Sequence, residues 1–244
     1  MPGVGLGLGL WNMGGRLWVP TDEPGLLIWI DASVGATPSN WQNDGSLADL
    51  TQSTAANQPA TPVSWQGRLA VPIRRNQSNG DMRYYSVPNL SSLTEGHTFI
   101  AIEVDTDPPS AAEGTGGIWT MGTGITSYYP FQGDGTIYEH FGTNTRKTSV
   151  NPTPSLADPH IYEVFSKTND WGNLLDGASL TTSGSNTVAF PAAPRLGGSA
   201  TGGEAHIALS GLVGAWLVYD HKLSASAAFN VRHYLGNRFS IPVV

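Results

Sequence analysis

Cysteine is absent from this 244-residue chain. That excludes a disulfide framework, Cys-ligated zinc and thiol catalysis. Charge is scarce: 13% of residues are Asp, Glu, Lys or Arg, and the net charge is −7. An acidic balance of this kind argues against a general affinity for nucleic acid or anionic membrane. Long apolar runs are missing too, since no stretch approaches the roughly 18 consecutive residues of a membrane span. The N-terminus has no basic n-region and no small-residue cleavage site, so it does not read as a secretory signal. No G-x-S-x-G elbow occurs, and the six histidines include no H-x-x-x-H pair. Gly5-x-Gly7-x-Gly9 and Gly211-x-x-Gly214 lack the strand-turn-helix setting of a phosphate-binding loop.

Turn formers are plentiful. There are 30 Gly and 17 Pro, and Ser, Thr and Asn are common between short apolar segments, the composition of brief strands joined by many loops. Strands are expected at residues 26–31, 68–73, 82–87, 97–105, 117–122, 136–141, 161–165 and 186–190. Asn79-Gly80-Asp81 is a hairpin signal between the second and third of these. Residues 212–219 are nearly continuous in apolar side chains, which suits a strand buried on both faces. Ser224 then offers an N-cap, and Ala228, Val231 and Leu235 recur at helical spacing, with Phe229 and Tyr234 flanking the stripe as packing residues. Strand density of this order predicts an all-β, two-sheet antiparallel sandwich with a short C-terminal helix.

Residues 1–20 form a separate segment. Gly alternates with Val4, Leu6, Leu8 and Leu10 before Trp11, so an extended backbone would put the aliphatic side chains on one face. It reads either as a flexible tail or as a docking arm that packs against another subunit or a sheet edge. The exposure of four aliphatic side chains and Trp11 favours the arm. Pro20 and Pro24 mark its boundary with a domain spanning residues 21–244.

The segment Leu196-Gly197-Gly198, the strand at 212–219, Tyr219-Asp220-x-x-Leu223-Ser224 and a helix containing Tyr234-Leu235 resemble the end of a laminin-G-like domain of the concanavalin A-like lectin/glucanase superfamily. Trp29-Ile-Asp-Ala-Ser33 followed by Trp41 is similar to its opening, although Asp44-Gly45-Ser46 departs from the usual loop and reads as an Asx-Gly turn. Trp29 and Trp41 read as core. Phe141-Gly-Thr-Asn-Thr-Arg146 and Trp171 before Asp176-Gly177 resemble laminin-G-like domains carried by bacteriophage structural proteins, with the likeness covering residues 25–240. It implies a jelly-roll, a virion location, other virion proteins or copies of itself as partners, and host surface glycan as a ligand.

Three chemical readings follow. Glu103, Asp105 and Asp107 share one face of a strand, the arrangement of laminarinase-type glucanases. Asp107 stands where those enzymes have Glu, and Pro108 follows, so a polar strand end is the expected role and no catalytic residue is assigned. Calcium is implied by the superfamily. Asp44, Asp105, Asp107, Asp134 and Asp176 are the candidate oxygen donors, with the site unassigned. Tyr128, Tyr129, Asn79 and Asp81, in loops rich in aromatic and amide groups, are the candidate glycan contacts. The expected function is a non-enzymatic virion structural or decoration protein. A free carbohydrate-binding protein and, behind it, a glycoside hydrolase are the alternatives.

Overall fold

The computed structural model describes residues 18–74, 82–110, 116–122, 126–198 and 208–244. Among them the strands assemble into two eight-stranded antiparallel sheets. The first sheet holds β1 (Leu26–Asp31), β4 (Val63–Trp65), β5 (Arg68–Ile73), β7 (Gly96–Val104), β12 (His160–Lys167), β13 (Asp170–Leu175), β14 (Ala178–Ser183) and β16 (Gly211–Tyr219). The second holds β2 (Asn40–Trp41), β3 (Leu50–Thr51), β6 (Tyr85–Ser86), β8 (Gly117–Thr120), β9 (Ser127–Tyr128), β10 (Tyr138–Glu139), β11 (Lys147–Thr148) and β15 (Arg195–Leu196). One helix, α1 (Ala225–Phe239), follows β16.

β16 is central because its sequence has no polar face to expose. It pairs with β7 along one edge, and along the other with β5 at Gly211–Val213 and with β1 at Ala215–Tyr219. Val213, Trp216 and Val218 face the second sheet, whereas Ala215, Leu217 and Tyr219 face α1. Gly214 sits where the edge partner changes. A Cβ there would lie 2.5 Å from Trp65 and 2.7 Å from Phe239, so glycine lets those rings close over the sheet.

Between the sheets, Trp119 stacks on Trp216 at 6.1 Å and on Tyr162 at 5.9 Å. Such ring pairs contribute about 0.5–1.5 kcal/mol beyond their burial. Trp216 Nε1 donates to Thr98 Oγ1 at 2.7 Å, and Thr98 Oγ1 donates to the Leu217 carbonyl, so the indole is buried without an orphaned donor.

The outer face of the first sheet is sealed by α1. Ser224 Oγ accepts from the Ala227 N–H at 3.2 Å, capping the helix as expected. Ala228, Val231 and Leu235 are buried against the sheet. A charged pair anchors this layer: Arg232 Nη1 donates to Glu163 Oε2 at 2.6 Å, and His97 Nε2 lies 2.9 Å from Glu163 Oε1. His97 Nδ1 accepts from the Leu223 N–H, which leaves the proton on Nε2, directed at the carboxylate. Burial holds the His97 pKa below its usual value, so the ring is neutral and Arg232 balances Glu163.

Several expectations are corrected. Phe229 is not packed in the core but 41% exposed, its ring tilted against that of His233 with centroids 4.0 Å apart, because the stripe through Val231 and Leu235 turns it outward. The strand expected at 186–190 is reduced to a single bridge between Val188 and Thr143. Those at 82–87 and 136–141 shrink to the two-residue β6 and β10. Asn43, not Asp44, is the side chain that organises its turn, accepting from the Gly45 and Trp29 N–H groups and donating to the Leu27 and Leu47 carbonyls. Trp41 is buried and Trp29 half-buried. The hairpin expected at 79–81 and residues 1–17 of the arm expected at 1–20 lie outside the described residues. No described helix is long and apolar enough to cross a membrane.

Candidate functional site

α1 packs on the first sheet, and among the described residues no α-helix lies on the outer face of the second. Side chains alternate across each strand. Trp41, Leu50, Tyr85, Leu196 and Trp119 point into the core, so their neighbours point out. The registered pairs Asn40–Thr51, Thr51–Ser86, Ser86–Arg195 and Arg195–Thr120 make a polar row across one half of this sheet, with Thr51 and Ser86 exposed, Asn40 and Arg195 half-buried and Thr120 buried. Arg195 lies 4.3 Å over the ring of Tyr84 within it.

The other half is aromatic. Tyr138 on β10 is opposite Tyr128 on β9 and Thr148 on β11. Tyr138 contacts Tyr128 and Phe131 with ring centroids 6.2 and 5.3 Å away, and Tyr128 to Phe131 is 5.4 Å. The guanidinium of Arg146 lies over both tyrosines, 5.1 Å from the Tyr138 centroid and 5.6 Å from that of Tyr128. Tyr138 and Phe131 are half-buried and Arg146 is exposed.

This cluster stands on a rigid base. Glu139 points inward, where its Oε1 accepts from Trp119 Nε1, Ser127 Oγ and the N–H groups of His140 and Phe141, while Oε2 accepts from the Tyr162 hydroxyl. Burial raises the Glu139 pKa, against the pull of these donors. The next residue, His140, is buried with neither ring nitrogen hydrogen-bonded. Burial, with Arg146 and Lys147 close by, lowers its pKa to about 4. Tight turns complete the setting: Gly142 has φ +59°, and a Cβ there would lie 2.4 Å from Phe190.

The candidate glycan contacts fare differently. Tyr129 is 0% exposed and packs on Tyr162 at 4.7 Å, so it is a core residue rather than an exposed contact. The alternation that turns Tyr128 outward turns Tyr129 in. Tyr128 lies on the open face but is only 8% exposed, with Arg146 above it. Asn79 and Asp81 lie outside the described residues. Tyr138 and Arg146 are not among the contacts expected from the sequence, although Tyr138 lies in the strand expected at 136–141 and Arg146 ends the Phe141–Arg146 motif.

Glu103, Asp105 and Asp107 are each committed to protein donors. Glu103 Oε2 accepts from Trp65 Nε1 at 2.6 Å. Asp105 takes a bidentate pair from Arg74, both contacts 2.6 Å, plus the Ser210 hydroxyl. Although burial works against it, those donors hold the Asp105 pKa below the usual range. Asp107 Oδ2 accepts from the Leu156 N–H at 2.7 Å. They lie at the polar end of β7, as expected, with Asp105 exposed and Glu103 and Asp107 half-buried.

The five calcium candidates are not gathered into one site. Asp44 accepts from Gln42, Asp134 from the Thr136 N–H, and Asp176 pairs with His160. Among the described residues no group of three His, Asp or Glu side chains is placed to hold a metal ion.

No protein-family model and no curated protein matches the sequence. Solved structures do match. Trypanosoma rangeli sialidase in complex with the inhibitor DANA aligns at 13% identity over 88% of this chain and 34% of the sialidase, with a TM-score of 0.61. The same enzyme as its 2,3-difluorosialic acid covalent intermediate aligns at 14% identity over 96% and 36%, with a TM-score of 0.62. The binding domain of Paraclostridial mosquitocidal protein 1 aligns at 8% identity over 90% and 54%, with a TM-score of 0.59. This chain thus spans about a third of the sialidase and about half of the mosquitocidal binding domain. At such identities the likeness is one of fold: an antiparallel two-sheet sandwich.

Proposed function

We propose that this chain is a non-catalytic glycan-binding domain whose contact surface is the open face of the second sheet. The observation that carries this reading is the Tyr138–Phe131–Tyr128 cluster with Arg146, on the face that α1 leaves uncovered. Aromatic rings receive the apolar face of a pyranose, and the exposed Thr51 and Ser86 of the neighbouring polar row offer hydroxyl groups to it. Fold-level likeness to the binding domain of Paraclostridial mosquitocidal protein 1 is consistent with it, as analogy only. A retaining hydrolase needs two carboxyls roughly 5 Å apart and free to act, and the three best candidates are tied to Trp65, Arg74 and Leu156.

The setting we propose is a bacteriophage virion. Residues 1–20, through Val4, Leu6, Leu8, Leu10 and Trp11, join this domain to other virion proteins or to further copies of itself. The phage-type motifs around Phe141–Arg146 and Trp171 support that setting. Where the segment reaches the domain, Trp18 packs edge-on against Tyr234 of α1 at 6.2 Å.

The test is a glycan array probed with the full chain and with Tyr138→Ala. Binding that the substitution removes, with melting temperature preserved, supports the reading. Turnover of a bound polysaccharide that Glu103→Gln eliminates would replace it with a hydrolase. Deleting residues 1–17 separates the assembly role, since glycan binding then persists while incorporation into particles is lost.

A further inference from the structure

Building on the glycan-binding reading, we infer that the sugar carries a carboxylate, which the Arg146 guanidinium receives above the Tyr128–Tyr138 pair. The chain as a whole is acidic, at −7, yet this edge of the open face presents two consecutive cations. Lys147 is already engaged, its Nζ donating to the Ser185 carbonyl at 2.6 Å. Arg146 is not. Arg74, Arg232, Arg238, Lys167 and Lys222 each have a carboxylate partner, whereas Arg146 has two aromatic rings and no described carboxylate within ion-pair distance.

That arrangement is suited to a bound anion. The ring quadrupoles hold the cation in place, so little side-chain freedom is lost when a ligand arrives. A guanidinium presents a planar fork of N–H donors that matches a carboxylate bidentately. The pyranose bearing that carboxylate would rest against Tyr138 and Phe131, with Thr148 directly across the strand pair for a hydroxyl. Exposed Asn144 and Thr145 lie just before Arg146. A neutral glycan would use the rings and leave the fork to water.

The experiment prints carboxylated oligosaccharides (hexuronate- and nonulosonate-containing) beside their methyl esters, their neutral parents and sulfated analogues, and probes them with the full chain. We expect the free acids to bind at least about tenfold tighter than their esters. Arg146→Gln should erase that preference, bringing the free acids down to the affinity of their esters. Arg146→Lys, which keeps the charge but not the fork, should recover only part of it. Both variants alter an exposed side chain and should melt with the wild type. Equal binding of acid and ester, or indifference to Arg146→Gln, overturns the carboxylate assignment and leaves glycan binding standing. Sulfated sugars binding as tightly as carboxylated ones also overturns it. Silence across the whole array removes the glycan-binding reading and this inference together.

Discussion

His160 Nδ1 lies 2.6 Å from Asp176 Oδ2, and the same ring's Nε2 lies 2.9 Å from the Ser155 carbonyl. A carbonyl only accepts, so Nε2 carries a proton, and the short contact to a carboxylate calls for a second proton on Nδ1. The ring is therefore an imidazolium clasp joining β12, the β13–β14 turn and the preceding loop.

Burial disfavours that charge, but Asp176 and the Ser155 carbonyl outweigh it and raise the His160 pKa above its ordinary value. The clasp's stabilisation is then complete below the unfolded pKa of about 6.5 and is lost as pH rises through the higher folded value. Thermal melts across pH 5.5–9 should show this decline in the wild type and a flatter profile in His160→Gln. A parallel decline in both proteins would refute the assignment.

His140 gives the opposite sign. Its folded pKa of about 4 lies below the unfolded value of about 6.5, so the unfolded state binds the extra proton first. Stability contributed above 6.5 is lost as pH falls towards 4. Because neither ring nitrogen has a partner, His140→Phe should be close to neutral at pH 7 and should weaken the acid loss. Urea unfolding at pH 7 and pH 5 measures both.

Glu139→Ala should be among the most damaging single changes. It strands the donors of Trp119, Ser127, Phe141 and Tyr162 in the core, while the His140 N–H keeps the Ser127 hydroxyl oxygen as acceptor. Leaving buried donors unsatisfied costs about 1–3 kcal/mol per group before relaxation. A loss of about 3 kcal/mol or more in urea unfolding is expected, and under 1 kcal/mol would contradict the network.

Gly214→Val tests the closure of α1 on the first sheet. Its side chain meets Trp65 and Phe239 at distances no real Cβ adopts. Overpacking of this kind costs about 1–3 kcal/mol. Proteolysis should then cut first around α1, while the inter-sheet core around Trp119 keeps its near-UV signal.

Much of the frame was legible in the chain. The run at 211–219 has no polar side to expose, so it could only be buried twice over, and β16 is. Ser224 could be read as a cap because capping depends on a residue and its next three neighbours. Two-residue strands such as β9, β10 and β11 leave no periodicity to detect, so the sheet that carries the site was hardly visible.

Composition and local pattern thus determined the fold class, the buried central strand and the helix behind it. Only the tertiary structure decided which face stayed open and which side chains met there. Tyr128 and Tyr129 are equal in the sequence, but pairing of β9 between β8 and β10 sends one out and one in. Arg146 reaches Tyr138 because an antiparallel return brings β11 beside β10. Register is a long-range property, fixed by burial on the opposite side of the sheet, and no window of neighbouring residues contains it.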